Sequence, residues 1–145
     1  MFTTTLKNAA FVLLLALSSP VLHAGEQLAD NRVKLVMTGA ERAEFLEGMR
    51  KMLGSVQGIM QGIGEGNREQ IAAAARLSGN TMARATPDQV RNRLPAAFKD
   101  MGGPTHMMFE ELAVRAETDE MDMLARDTGK LMNQCMACHA AFRVH

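Results

Sequence analysis

Apolar side chains recur every three or four residues along much of the chain, which is the period of an α-helix. Thr38 opens the first long run, and Glu41 follows three residues later as its partner in a capping box. The spacing predicts one buried helix face, formed by Phe45, Met49, Met52, Val56, Ile59 or Met60, and Ile63. The stretch GEGN at residues 64–67 predicts that this helix ends there.

Two further helices are predicted before the last quarter of the chain. Asn67, with Gln70 at the third position, can cap a second helix that fades near residues 78–80. A capping Thr86 precedes Pro87, but Pro95 and the stretch GGP at residues 102–104 interrupt the pattern again. We expect a third long helix to begin at one of these prolines and to run to about Ala116.

The last predicted helix contains both cysteines of the chain. Thr118 can cap it, and an inward-facing helical spacing continues to the chain end through Met121, Leu124, Leu131, Cys135, Cys138 and Phe142. No run alternates between apolar and polar residues, so strands are not expected. Four helices in one domain predict an all-α fold, an antiparallel four-helix bundle.

The first residues have the three regions of a secretory signal peptide. Lys7 precedes a short apolar run, and small residues near Ala24 provide a cleavage site. The apolar run is shorter than the roughly 20 residues that cross a bilayer as a helix, so we expect cleavage rather than anchoring. The expected organisation is a signal peptide at residues 1–24 and one soluble, exported domain at residues 25–145.

Composition narrows the class of partner and the contents of the core. Lys and Arg together number 16, as do Asp and Glu, so no basic excess favours a nucleic-acid partner. The chain has 13 Met but no Trp or Tyr, so an aliphatic, thioether or non-protein core is expected. No Ser/His/Asp or paired-carboxylate arrangement is evident, and an enzyme is not predicted.

The stretch CMACH, Cys135 to His139, carries the candidate chemistry. A disulfide between cysteines three residues apart closes almost no loop and stabilises little. A redox-active CxxC favours a helix N-terminus, whereas this pair is in the last turns of a helix. A zinc site lacks a compact fourth ligand.

Covalent haem attachment accounts for all three residues of this stretch. On a helix, Cys135 and Cys138 are separated by roughly 4.5 Å of rise and project from nearly the same face, so that two thiols can bind the two vinyl groups. His139 follows Cys135 by one turn and can coordinate iron through a ring nitrogen.

A CxxCH motif on the last helix of a four-helix bundle, followed by AAFR, resembles the class II c-type cytochromes, the cytochrome c′ group. The resemblance implies haem c in a bacterial periplasm, and electron transfer or binding of a diatomic gas. It implies that Cys135 and Cys138 form the thioethers and that His139 is the proximal ligand. Phe142 would pack in the haem pocket, and Arg143 would pair with a haem propionate, unless it is an ordinary solvated arginine.

The other side of the iron decides between these functions. A methionine ligand suits electron transfer, whereas an open iron binds NO or CO. In the family the distal side chain comes from the first helix, where Met49 is the leading candidate and Met52 the next. The relatives place Arg four residues before this methionine; here Phe45 stands there, and Arg42 is a substitute. His106, expected near the start of the third helix, is a further candidate.

We therefore expect a periplasmic monohaem electron carrier with His139 and Met49 on iron. The alternative is a five-coordinate gas binder, and the outsider is a thiol–disulfide oxidoreductase. Expected partners are redox proteins or a diatomic gas. The small residues 71–75 could also serve a homodimer interface, because members of the family often dimerise through their first two helices.

Overall fold

The computed structural model describes residues 29–145, most of which are helical. The elements in chain order are β1 (Val33–Leu35), α1 (Gly39–Glu65), α2 (Arg68–Leu77), α3 (Asn80–Ala85), α4 (Asp88–Arg93), α5 (Ala96–Arg115), α6 (Met121–Ala141) and β2 (Phe142–Val144). The fold class is therefore all-α, as the apolar period predicts. The predicted signal peptide, residues 1–24, lies outside the described residues.

Helix α1 begins and ends where its sequence signals predict. The Thr38 hydroxyl accepts a hydrogen bond from the Glu41 N–H at 3.3 Å, and the Glu41 carboxylate accepts one from the Thr38 N–H at 2.8 Å. This reciprocal pair is the predicted capping box, and it satisfies two N–H groups that have no partner within the helix. At the other end Gly66 adopts a φ of 66°, a left-handed conformation that favours glycine.

Helix α2 follows at once and packs closely on α1. The Asn67 side chain accepts a hydrogen bond from the Gln70 N–H at 3.0 Å, as predicted. Gly62 allows the close approach, because a Cβ on it would lie 2.8 Å from Cγ1 of Ile71. The short chain 66–67 between the two helices thus brings small and apolar faces into direct contact.

Helix α5 is continuous where an interruption is predicted. It starts after Pro95 and runs through Gly102, Gly103 and Pro104, so the predicted break at residues 102–104 is wrong. Glycine and proline inside a helix cost about 1 and about 3 kcal/mol relative to alanine. The buried residues of α5 all follow this stretch, namely Thr105, Phe109, Leu112 and Ala113. Their packing offsets the poor local propensity, which a reading of the sequence alone does not include.

Both ends of α6 differ from the prediction. Its N-cap is Glu120, which makes no side-chain capping bond, and Thr118 lies in the turn before it. The helix ends at Ala141, and the next three residues pair in parallel with β1, with Val33 opposite Phe142, Lys34 opposite Arg143 and Leu35 opposite Val144. Strands of three residues are too short to show an alternating pattern. Burial of Leu35 and Phe142 against the helices accompanies this pairing.

The short helices α3 and α4 occupy the region where only turn signals are evident. The Arg91 guanidinium donates to the Thr86 carbonyl at 2.9 Å and so ties the end of α3 to α4. No residue of either helix is buried. These helices therefore cover the outside of the domain and add nothing to the core.

The core lies among the four longer helices. Helix α1 packs on α2 and α6, and α5 packs on α2 and α6. The buried apolar cluster comprises Val56, Ile59, Ile71, Ala72, Ala75, Phe109, Leu112, Ala113, Ala116, Leu124 and Leu131. Within residues 29–145, every helix is too short or too polar to cross a membrane.

Candidate functional site

Cys135 and Cys138 lie in the last two turns of α6, as predicted. Both side chains are half-buried, and both thiols are free. The local sequence QCMACHAA has neither proline nor glycine and no β-branched residue, so it maintains the helix to Ala141. The helix therefore holds the two thiols on neighbouring turns of one partly covered face.

Burial raises the pKa of both thiols. At Cys135 the main cause is loss of solvent. At Cys138 loss of solvent again has the largest effect, and the charge of the neighbouring Cys135 sulfur raises the pKa further. Both groups are therefore protonated at neutral pH. A thiol–disulfide enzyme needs a thiolate with a lowered pKa, so this environment disfavours that chemistry.

The backbone around His139 is held by hydrogen bonds from two directions. The His139 side chain is exposed in the last turn of α6. Its carbonyl oxygen accepts a hydrogen bond from the Arg32 guanidinium at 3.3 Å. The Phe142 N–H donates to the Cys138 carbonyl. Helix ends leave carbonyls without helical partners, and the Arg32 bond satisfies one of them, that of His139, within the motif.

Three aromatic rings connect the end of α6 to two other helices. The buried Phe142 ring meets Phe98 of α5 edge to face, with centroids 5.3 Å apart. Phe98 in turn contacts Phe45 of α1, with centroids 5.8 Å apart. Phe98 was not predicted as a site residue, because it stands between two apparent helix breaks, Pro95 and the glycines at 102–103. Its aromatic character was the only available signal.

Arg143 lies on β2 and not on α6. The expectation that the helical spacing continues to the chain end is therefore wrong at Arg143, because the helix ends two residues earlier. Arg143 is half-buried and stands opposite Lys34 in the strand pair. Directly paired residues of neighbouring strands point to the same face, so two positive side chains lie side by side here.

The methionines of α1 differ in their surroundings. Met52 packs against the buried core cluster, which is the ordinary role of a core methionine. Met60 is 46% exposed. Met49 is half-buried one turn from Phe45, at the end of α1 nearer the aromatic rings. Arg42, the substitute for the family's helix-one arginine, is exposed.

His106 is engaged by the backbone. It lies in the middle of α5, so the expectation that it stands near a helix start is wrong. Its Nδ1 lies 2.7 Å from the Ser78 carbonyl oxygen and, as the protonated nitrogen, donates to it. This contact attaches α5 to the end of α2, which is a structural role for the imidazole.

Burial is distributed unevenly along the three longest helices. The buried residues of α1 begin at Ser55, those of α5 begin at Thr105, and those of α6 end at Leu131. Residues 39–54, 96–104 and 132–141 of these helices contain no buried residue. We call these three stretches the motif end. Its half-buried side chains are mostly apolar, namely Phe45, Leu46, Met49, Met52, Phe98, Met101, Cys135 and Cys138.

The residues of the motif end suit a large apolar group bound through sulfur. Two neutral thiols on adjacent turns and a neighbouring imidazole form the donor set that covalent haem requires. The half-buried apolar side chains offer the surface that such a group would cover. Across residues 29–145, no three His, Cys, Asp or Glu side chains are grouped so as to hold a metal ion by themselves.

No protein-family model, no curated protein and no solved structure matches this chain.

Proposed function

We propose that the protein is a periplasmic monohaem c-type cytochrome, similar to the cytochrome c′ group, that carries electrons. The observation that supports this most strongly is the coincidence of the CxxCH sequence with the one end of the long helices that lacks buried residues. A haem bound there would cover apolar side chains that the protein itself leaves half-exposed. The leader sequence supports the compartment, since export precedes covalent haem attachment.

Cys135 and Cys138 would hold the haem by thioether bonds. Each thiol adds across one vinyl group: sulfur bonds to one vinyl carbon, and the thiol proton goes to the other. The protonated state that burial favours supplies this proton. Bound haem supplies an iron that accepts and returns one electron.

His139 is the proposed ligand on the near side of the iron. The bond from Arg32 to its carbonyl restrains the last turn of α6 while the imidazole remains accessible. The neighbouring Phe142 N–H restrains the same turn through the Cys138 carbonyl. These contacts limit the positions available to the imidazole, which favours stable coordination.

Met49 is the proposed ligand on the far side. Phe45 and Phe142 both contact Phe98, so they lie at the same level of the molecule. One turn along α1 from Phe45 is Met49, and one turn back along α6 from Phe142 is Cys138. Each step is about 6 Å, so we infer that Met49 lies level with the thiols. Met52 packs against the buried core cluster, which favours Met49 over Met52 as the iron ligand.

The proposed architecture is an antiparallel four-helix bundle of α1, α2, α5 and α6. Each of these helices packs on two of the others, which is the neighbour relation of a bundle. The short connections between α1 and α2 and between α5 and α6 favour opposite directions within each pair. Haem would then lie between α1, α5 and α6 at the motif end.

Optical spectra of the purified, exported protein test the function. We expect covalent haem, a low-spin reduced spectrum with a sharp alpha band, and no change on addition of CO. A high-spin spectrum that changes with CO would replace the carrier by the gas-binding alternative. Absence of covalent haem after expression with the maturation machinery would contradict both.

Substitution of Met49 tests the far ligand. Met49→Ala is expected to convert the low-spin spectrum to a high-spin one that responds to CO. Met60→Ala is the matched control, because it removes an exposed methionine from the same helix and should leave the spectrum unchanged. An unchanged spectrum in Met49→Ala would exclude this residue and direct attention to Met52 or His106.

A further inference from the structure

Residues 80–104 form an outer layer of the domain without any buried residue. This stretch comprises α3, α4 and the first part of α5, and we call it the cover segment. Buried residues flank it directly, with Ser78 and Gly79 before it and Thr105 after it. Segments with few buried contacts open at a lower free-energy cost than the core on which they rest. The cover segment is therefore the part of the helical domain best suited to open alone.

Three poor helix formers mark the downstream boundary of the cover segment. Gly102, Gly103 and Pro104 occur consecutively inside α5, and Pro104 cannot donate the hydrogen bond expected at its position. The Thr105 hydroxyl donates to the Met101 carbonyl at 2.8 Å, a bond that often accompanies helix bending. Bends and hinges of helices concentrate at such residues. The packing of the buried residues that follow offsets the local cost of this stretch, which remains the weakest point of α5.

The upstream boundary is fixed to the core. The Asn80 N–H donates to the Glu110 carboxylate at 3.0 Å, and a Cβ on Gly79 would collide with that carboxylate. Gly79 thus passes close to α5 where the chain leaves the core. Gly79 directly precedes the cover segment and contacts the buried half of α5, and the stretch Gly102–Gly103–Pro104 ends the segment.

The Gly102–Gly103–Pro104 stretch of α5 lies beside the cysteines. Phe98 of α5 contacts Phe142, and Arg115 of α5 lies 2.6 Å from the Asp127 carboxylate of α6. These two contacts mean that α5 and α6 run side by side in opposite directions. Gly103 follows Phe98 by five residues. Ala137, the neighbour of Cys138, precedes Phe142 by five residues. The hinge residues are therefore level with the CxxCH motif.

Helix α3 packs on α2 and α5, and two further side chains of the cover segment contact α1 and β2. Phe98 lies between Phe45 and Phe142, and Arg93 forms an exposed ion pair with Glu41. Aromatic pairs contribute modestly, and exposed ion pairs contribute little. Breaking them would separate Phe98 from Phe142, the residue that directly follows α6.

We propose that the cover segment is a lid that opens by bending at Gly102–Gly103–Pro104 and at Gly79, and so admits a large flat apolar ligand to Cys135 and Cys138. The identity of this ligand as haem rests on the proposed function; the opening itself does not. Closure then returns Phe98 to Phe142 and covers the bound ligand from the side of α5.

Hydrogen exchange of the full chain, with and without haem, tests the opening. Amides of residues 80–101 should exchange faster than those of residues 105–115. The variant Gly102→Ala/Gly103→Ala should slow exchange in residues 96–101 by about 10- to 30-fold, the factor expected from two glycine-to-alanine replacements in a helix. Gly54→Ala/Gly129→Ala is the matched control, because both glycines are exposed, helical and have open space for a Cβ. It should not change exchange in residues 96–101.

Phe98→Ala tests whether the ring contacts of Phe98 hold the cover segment closed, and its effect on exchange should be opposite to that of the alanine pair. It should speed exchange of the cover segment by about 2- to 10-fold, and speed thiol labelling of the haem-free protein by a similar factor. Equal exchange on both sides of residues 102–104, or no response to the alanine pair, would overturn the lid. If the haem-free chain does not fold, hydrogen exchange of the haem-loaded protein shows whether the cover segment opens. If no haem ever binds, exchange of the haem-free chain still decides, so the lid and the proposed function fail separately.

Discussion

Two threonines of this chain show how the position of a polar side chain relative to a helix start decides whether it caps the helix. Thr38 and Thr118 both precede a helix and both match a capping signal, but only Thr38 makes the bond. The reason is the position of the helix start: α6 begins at Met121, three residues beyond Thr118. A capping signal in a sequence identifies a candidate, and the packing of the helix selects which candidate is used.

We expect Thr38→Ala to lower the free energy of unfolding by about 1 kcal/mol, because the Glu41 N–H loses its acceptor. The measurement is urea unfolding of the exported protein, followed by far-UV circular dichroism. Thr118→Ala is the matched control and should change stability by less than about 0.5 kcal/mol. Equal losses in the two variants would mean that α6 starts at Thr118, contrary to the structure.

At the scale of the elements, the sequence predicted the helix ends that have a specific capping geometry. The capping box at Thr38, the glycine stop after Glu65 and the Asn67 cap each depend on residues adjacent in sequence, so the bounds of α1 and α2 follow from the chain itself. Local signals determine these positions because the bonds involved are local.

Elements that depend on distant contacts were not predictable. The continuity of α5 through Pro104 depends on packing of Phe109 and Leu112 in the core. The strand pair depends on contact between residues more than one hundred positions apart in the chain. The cysteines and His139 are candidates by their spacing alone, whereas the contacts of Phe98 with Phe142 and of Arg32 with the His139 carbonyl required the fold. Spacing identifies chemistry within one helix, and tertiary structure identifies what surrounds it.

The contact between α1 and α2 offers a test of element packing. Gly62→Ala should lower the free energy of unfolding by about 1 to 3 kcal/mol, because the new Cβ would lie 2.8 Å from Ile71 Cγ1 and 3.1 Å from backbone atoms of α2. Gly54→Ala in the same helix has open space for its Cβ and should be neutral or stabilise by up to about 1 kcal/mol. Urea unfolding measures both. A stabilising Gly62→Ala would show that α1 and α2 are further apart than described here.

At the scale of the whole molecule, packing and chemistry are divided between two halves. One half holds the buried apolar cluster and the bond of His106 to the end of α2. The other half holds the motif and, within residues 29–145, has only Leu35 and Phe142 as buried apolar side chains. A protein that binds a large apolar group covalently can leave that half incomplete, because the group becomes part of the core. The division therefore predicts where stability depends on the group.

Removal of the attachment points tests this dependence. Cys135→Ala/Cys138→Ala should lower the melting temperature of the exported protein by roughly 10 °C or more, since haem would contribute at least as much burial as one large apolar side chain, about 2 kcal/mol. Met132→Ala/Met136→Ala is the matched control, because both methionines are exposed on the same helix, and it should leave the melting temperature nearly unchanged. Hydrogen exchange should locate the loss: faster exchange is expected at residues 39–54, 96–104 and 132–141, with residues 105–116 and 124–131 still protected. Equal melting temperatures of the cysteine variant and the unmodified protein, or a loss of exchange protection spread evenly over both halves, would contradict this dependence. The motif end would then be stable without haem, and its small number of buried residues would have another cause.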